Sequence, residues 1–276
     1  MFPPIPENTI RAARASYGKG NVYLRLGDQI NRLLSPLDSD LLAIHFRGYE
    51  GTMLAAVTII QYVERLTDAE LTEALHGRLD LRYALHLPNP GPRIDPLVLC
   101  TFRQHVLKDP PCRLLLEEVF RLVYPTLGAN EPKAAVDALT VVKSICLHVI
   151  RASVVEAMFH AIEALSANHF TWLSRVASPH WYERYSPSLW MLDSSLSIKQ
   201  KEPTTDDLRV DIQYLLRVAD QSGSEKINEI PEIRVLRHRF DQLLHSQPEK
   251  QCAYCFQNSL ERRTAFYSNN QNPSQA

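Results

Sequence analysis

The chain lacks several features that define common protein classes. No apolar run is expected to reach the ~18 residues that suggest a membrane span. The opening Met1-Phe2-Pro3-Pro4-Ile5-Pro6-Glu7 has neither the basic start nor the apolar stretch of a secretory leader. These features predict a cytoplasmic protein without membrane contact, with reduced thiols. Excess positive charge is missing as well: 30 Lys+Arg stand against 31 Asp+Glu, for a net charge of −1. Residues 1–108 hold twelve basic and eleven acidic side chains. A strongly basic nucleic-acid binder is excluded, and any such footprint must come from where charges sit. Strand signal is weak everywhere and no internal repeat is found.

Five cysteines are too few and too scattered for a disulfide framework. Cys100, Cys112 and Cys146 fall in apolar helical patterns and read as small core residues. Cys252-Ala253-Tyr254-Cys255, with His238 and His245 upstream, has metal-ligand spacing. One CxxC without a well-spaced second pair is a weak zinc signal.

What the chain does have is helical periodicity, with 45% hydrophobic residues over a length of 276. Thr9–Ser16 predicts a short helix carrying Arg11 and Arg14. Leu26, Ile30, Leu33 and Leu34 mark a second helix over 22–34, followed by a connector over 35–51. Met53, Ala56, Val57, Ile60 and Val63 line one face of a third. Thr67 and Glu70 form a capping box for the next helix, with Leu66 and Leu71 as its hydrophobic staple and Gly77 as its stop. Two helices joined by so tightly specified a turn have the form of a helix-turn-helix pair. A short helix over 80–86 precedes the break at Pro88-Asn89-Pro90-Gly91-Pro92. Asp95 and Pro96 then start a helix with Leu99, Phe102 and Val106 inward, and another spans 112–125 with Leu115, Val119 and Leu122 inward. Residues 136–166 are apolar and helical. The aromatics Phe170, Trp172, Trp181, Tyr182, Tyr185 and Trp190 read as core. Thr204 and Asp207 cap a helix over 205–220, on which Asp206, Asp207 and Asp211 read as a solvated face or charged first turn. A last helix covers about 231–245. From 247 onward twelve of thirty residues are Gln, Asn or Ser, which predicts disorder.

Three blocks of this sequence resemble a known family. They are Ile5-Pro6-Glu7-Asn8-Thr9 with Lys19-Gly20-Asn21-Val22-Tyr23-Leu24-Arg25-Leu26; then Leu66-Thr67-Asp68-Ala69-Glu70-Leu71, Leu79-Asp80-Leu81-Arg82-Tyr83-Ala84-Leu85 and Asp95 through Phe102-Arg103; then Glu156, Trp172-Leu173 and Pro179-His180-Trp181-Tyr182-Glu183-Arg184-Tyr185. In this order they resemble DDE-type insertion-sequence transposases with an InsH-like N-terminal domain, over about residues 5–245. The resemblance implies a mainly α chain: a helical DNA-binding domain over 1–127, a helical segment over 128–246 matching the start and insert of a truncated RNase H-like catalytic domain, and a polar tail over 247–276. It implies double-stranded DNA at transposon ends as the partner, with Lys19, Arg25, Arg78, Arg82, Arg93 and Arg103 toward phosphates and Thr72 or His76 toward a base edge. Each of these also has a bland reading as a solvated residue, and Arg103 one as a structural ion-pair partner of Asp80 or Asp95.

Counting nineteen residues back from Glu156 places the family's first catalytic Asp at Asp137, within Val136-Asp137-Ala138-Leu139-Thr140. Such enzymes use three carboxylates to hold two Mg²⁺ ions ~3.5–4 Å apart. The resemblance puts the other two acidic residues past residue 276, so Asp137 is expected as a relic ligand without functional Mg²⁺. The expectation is an inactive remnant that binds DNA, or pairs with itself or a full-length copy and inhibits it. The alternative is a helical protein-interaction module without nucleic acid.

Overall fold

The helix starts are set by local chemistry. The Asn21 side chain accepts from the N–H groups of Tyr23 and Leu24 and opens α2 (Val22–Leu34), which follows α1 (Glu7–Ser16). Asp38 caps the short α3 (Ser39–Leu42) in the same way. A two-stranded antiparallel hairpin, β1 (His45–Phe46) and β2 (Tyr49–Glu50), leads into α4 (Gly51–Glu64). The connector over 35–51 thus holds a helical turn and a hairpin, both too short for periodicity to reveal.

The expected capping box is present at α5 (Asp68–Gly77): Thr67 accepts from the Glu70 N–H, and Glu70 accepts from the Thr67 N–H. Gly77 is the last helical residue rather than a left-handed stop, and Arg78 follows in extended conformation. The left-handed residue sits one helix earlier, at Arg65 (φ 53°), which ends α4. Next come α6 (Leu79–Ala84), α7 (Pro96–Lys108, capped by Asp95) and α8 (Pro110–Val123), then a 3₁₀ turn at Tyr124–Leu127. Farther on lie α9 (Ala138–Asn168), α10 (Phe170–Val176), α11 (His180–Tyr185), α12 (Thr205–Gln221), a second 3₁₀ turn and α13 (Pro231–Leu244). The protein is mainly α. This computed structural model describes residues 2–91, 93–127, 137–185, 203–223 and 226–245, without the side chains of Tyr182 and Glu183. The expectations for Trp190, for the tail from 247 and for Cys252 and Cys255 fall outside these.

Two compact units divide the chain at Val149–Ile150, within α9. In the first, α4 is the central helix, packed against α7 and α8. Ten of its fourteen residues are buried, from Gly51 to Gln61, so it is apolar nearly all round rather than along one face. Met53 and Val63, expected inward, are only half-buried. Leu26, Ile30 and Leu34 of α2, Leu99, Phe102 and Val106 of α7, and Leu115 and Val119 of α8 complete this core. α6 lies across α2 so closely that a Cβ on Gly27 would sit 2.6 Å from the Tyr83 carbonyl oxygen. Glycine is required there by backbone approach.

In the second unit, α12 packs on α13 and Trp172, Trp181 and Tyr185 are buried. Phe170, expected in the core, is 63% exposed. The capping box at Thr204 and Asp207 is present. Asp211, expected on a solvated face, is buried, accepting from Arg184 at 2.8 Å and from the Tyr185 hydroxyl at 2.9 Å. α9 contains the described residues' one stretch apolar and long enough to cross a membrane, with mean hydropathy 1.7. It is not a continuous apolar run, since Lys143 and Arg151 interrupt the helix. Half of that stretch is buried, and Val142, Cys146, Ile150, Val154, Met158, Ala161 and Leu165 recur at three- and four-residue steps, as in a core helix.

Candidate nucleic-acid interface

The turn between α4 and α5 is fixed from inside by a buried ion pair. Asp68, the first residue of α5, receives both Nη groups of Arg103 from α7, at 2.8 and 2.7 Å. Gln61 of α4 donates to the same carboxylate at 2.7 Å and to the Leu66 carbonyl, and accepts from Arg103 at 3.0 Å. The Cys100 thiol donates to Asp68 at 3.1 Å. Burial pushes the Asp68 carboxyl up, but the Arg103 charge and hydrogen bonds outweigh it and hold it below the ordinary carboxylate range. Arg103 is fully buried, and its Nε has no hydrogen-bond partner among the described residues. Arg103 is therefore a structural residue whose partner is Asp68, not Asp80 or Asp95, and no phosphate can reach it.

A second cluster ties the start of α2 to the ends of α4 and α5. The Tyr23 hydroxyl donates to Glu64, and the Arg78 guanidinium bridges Glu64 at 3.1 Å and Asp80 at 2.9 Å. Arg78 also lies 5.4 Å above the Tyr23 ring centroid. Burial and the neighbouring Glu64 push the Tyr23 phenol well above its usual range. Arg78 is half-buried, its charge matched by two carboxylates.

The remaining candidates separate by accessibility. The Thr72 hydroxyl is buried between the carbonyls of Asp68 and Ile94, so it cannot reach a base edge. His76 is half-buried, its Nδ1 3.0 Å from the Gly91 carbonyl. Arg82 is buried and spends its guanidinium on Asn89 Oδ1 at 2.6 Å and the Gly77 carbonyl at 3.0 Å. Arg93 is exposed but paired with Glu73 at 2.7 Å. Along α5 the exposed positions are Glu70, Glu73 and Gly77, an acidic face that would repel a phosphate backbone. α5 is thus not built as a basic reading helix.

Lys19 and Arg25 are exposed. Lys19 lies in the α1–α2 turn; Arg25, one turn into α2, reaches the Thr126 carbonyl at 3.4 Å. Arg65, exposed at the end of α4, directly follows Glu64, which bonds Tyr23 of α2. The structure thus brings Lys19, Arg25, Arg65 and Arg78 toward one end of this unit. Sequence reasoning overlooked Arg65; the missing glycine after a fourteen-residue helix was the available signal.

Asp137 is exposed and caps α9: its carboxylate accepts from the Thr140 N–H at 2.6 Å, and its carbonyl from Val141 at 3.2 Å. Those hydrogen bonds hold its carboxyl below the ordinary range. Among the described residues no three His, Cys, Asp or Glu side chains converge as a metal would need.

A small helical domain, locked by one buried ion pair and with exposed cations where the start of α2 meets the end of α4, is what these residues build. Residues 19–105 match the family model described as Transposase domain (DUF772), so this stretch, about a third of the chain, is similar to a transposase domain. No curated protein and no solved structure matches the chain.

Proposed function

We propose that the first unit is the end-binding domain of a DDE-type, InsH-like transposase, and that it holds double-stranded DNA through the phosphate contacts of Lys19, Arg25 and Arg65. The transposase-domain match over residues 19–105 carries this reading, because it covers the two clusters and the exposed cations together. The acidic face of α5 assigns binding to backbone charge rather than to base edges read by Thr72 or His76. On this reading the chain contributes DNA binding, not strand transfer, in the cytoplasm, and association with itself or with a full-length transposase inhibits transposition.

The test is anisotropy with labelled duplex DNA at salt concentrations between about 50 and 200 mM. Each phosphate contact contributes about −0.9 to the slope of log K against log salt, so three contacts give a slope of about −2.7. Robust cleavage of end-containing DNA with Mg²⁺ would overturn the non-catalytic part. A second reading, a protein-interaction module, is favoured by the internal engagement of Thr72, Arg78, Arg82 and Arg103. Salt-independent absence of DNA binding would select it.

A further inference from the structure

The β1–β2 hairpin turns through two residues, Arg47 and Gly48, both in the left-handed region at φ 47° and 85°. Two-residue hairpins of this hand favour Asn-Gly, Asp-Gly or Gly-Gly. Glycine occupies the second place here, but arginine occupies the first, where a Cβ and a long side chain are disfavoured. Nothing inside the domain offsets that choice: Arg47 is exposed and makes no hydrogen bond or ion pair among the described residues.

The rest of the hairpin is held firmly. The Phe46 ring meets Phe102 edge-on at 5.4 Å and leans on His105 at 4.9 Å. The Gly51 N–H donates to the Ile44 carbonyl at 2.7 Å, and a Cβ on Gly51 would come within 2.8 Å of that oxygen and of Leu115. Phe46 therefore docks the hairpin on the last turn of α7, where Lys108 is exposed. The hairpin thus presents an exposed guanidinium at its tip, with a second exposed cation on the helix that supports it, and a guanidinium matches the bidentate geometry of a phosphate.

We infer that the β1–β2 hairpin is a second DNA-contacting element, in which Arg47 grips a backbone phosphate. This rests on the DNA-binding reading above and extends it from the α2 end of the domain to the opposite end of α4. α4 separates the two by fourteen residues, or about 21 Å.

The experiment compares the full chain with Arg47→Asn, which suits the turn but removes the charge. Duplex affinity should fall about three- to tenfold near 100 mM salt, and the salt slope should become shallower by about 0.9, the contribution of one phosphate. The thermal midpoint should hold or rise, since Asn tolerates the left-handed region. Unchanged affinity and slope in a variant of a DNA-binding parent would overturn the hairpin contact and leave the DNA reading standing. Failure of the parent to bind at about 50 mM salt would overturn both. Loss of binding together with a lowered midpoint would make Arg47 a folding residue and overturn the contact.

Discussion

The two units each contain an arginine–aspartate lock, and the locks differ in depth. In the first, Arg103 and Asp68 have side-chain exposures of 0% and 5%, with Gln61 and Cys100 adding hydrogen bonds. In the second, Arg184 keeps a third of its side chain exposed while it pairs with Asp211 and Asp207. A buried pair is costly to break because the surviving charge is stranded; one reached by water relaxes. The same chemistry therefore sets the shape of one unit and only trims the stability of the other. The tryptophans make this contrast measurable: Trp172, Trp181 and Trp190 all lie beyond Ile150. Tryptophan fluorescence reports the second unit alone, and far-ultraviolet dichroism reports both.

The largest effect is expected from Arg103→Met or Asp68→Leu made singly, at about 3–5 kcal/mol. The dichroism transition should move to lower denaturant while the tryptophan transition stays in place. Arg103→Met with Asp68→Leu together should destabilise less than either alone, since no buried charge remains. A double variant at least as unstable as the sum would show that Gln61 and Cys100, left without partners, dominate the site. The depressed Asp68 carboxyl adds a pH dependence. Its contribution is fully present above the unfolded value near 3.8 and is lost as pH falls through the lower folded value. The stability gap between wild type and Asp68→Asn should therefore be constant above about pH 4 and shrink as pH falls below it.

Next in size is Gly27→Ala, at about 1–3 kcal/mol, because its new methyl meets Tyr83 backbone at 2.6 Å. In the second unit, Asp211→Ala removes hydrogen bonds from Arg184 and Tyr185 and should cost about 1–2 kcal/mol, discounted for the exposed arginine. Here the tryptophan transition is the one that should shift.

The legible parts of this fold were those written in local chemistry. Both capping boxes, the Asp95–Pro96 start and the buried cysteines follow from neighbours within four residues. Helix type and order were accessible for the same reason, because apolar periodicity is a short-range signal. What was hidden depends on distant pairing. That Arg103 meets Asp68, thirty-five residues away, and that Arg82 turns back onto Asn89 and Gly77, decide which arginines face solvent. Spacing alone leaves all of them as equal phosphate candidates. The nearly all-round burial of α4 was obscured likewise, since Thr58 and Gln61 read as polar until their partners are known; Thr58 donates to Leu54 and Gln61 to Asp68. Arg47 and Arg65 escaped notice because a left-handed arginine leaves no mark in composition.

The smallest expected effect bears on the residue with the largest functional expectation. Asp137 binds the first turn of α9 through the Thr140 N–H. A cap of this kind contributes about 1 kcal/mol, and Ser or Asn serves as well as Asp. Asp137→Ala should then lower stability by that amount, Asp137→Asn should leave it nearly unchanged, and neither should alter duplex affinity or its salt slope. If Asp137→Asn instead abolished a Mg²⁺-dependent cleavage while stability held, the carboxylate would be acting on metal, and the capping account would be insufficient. Because Asn keeps the cap's acceptor oxygen but loses the charge, this substitution distinguishes a helix start from an active-site acid.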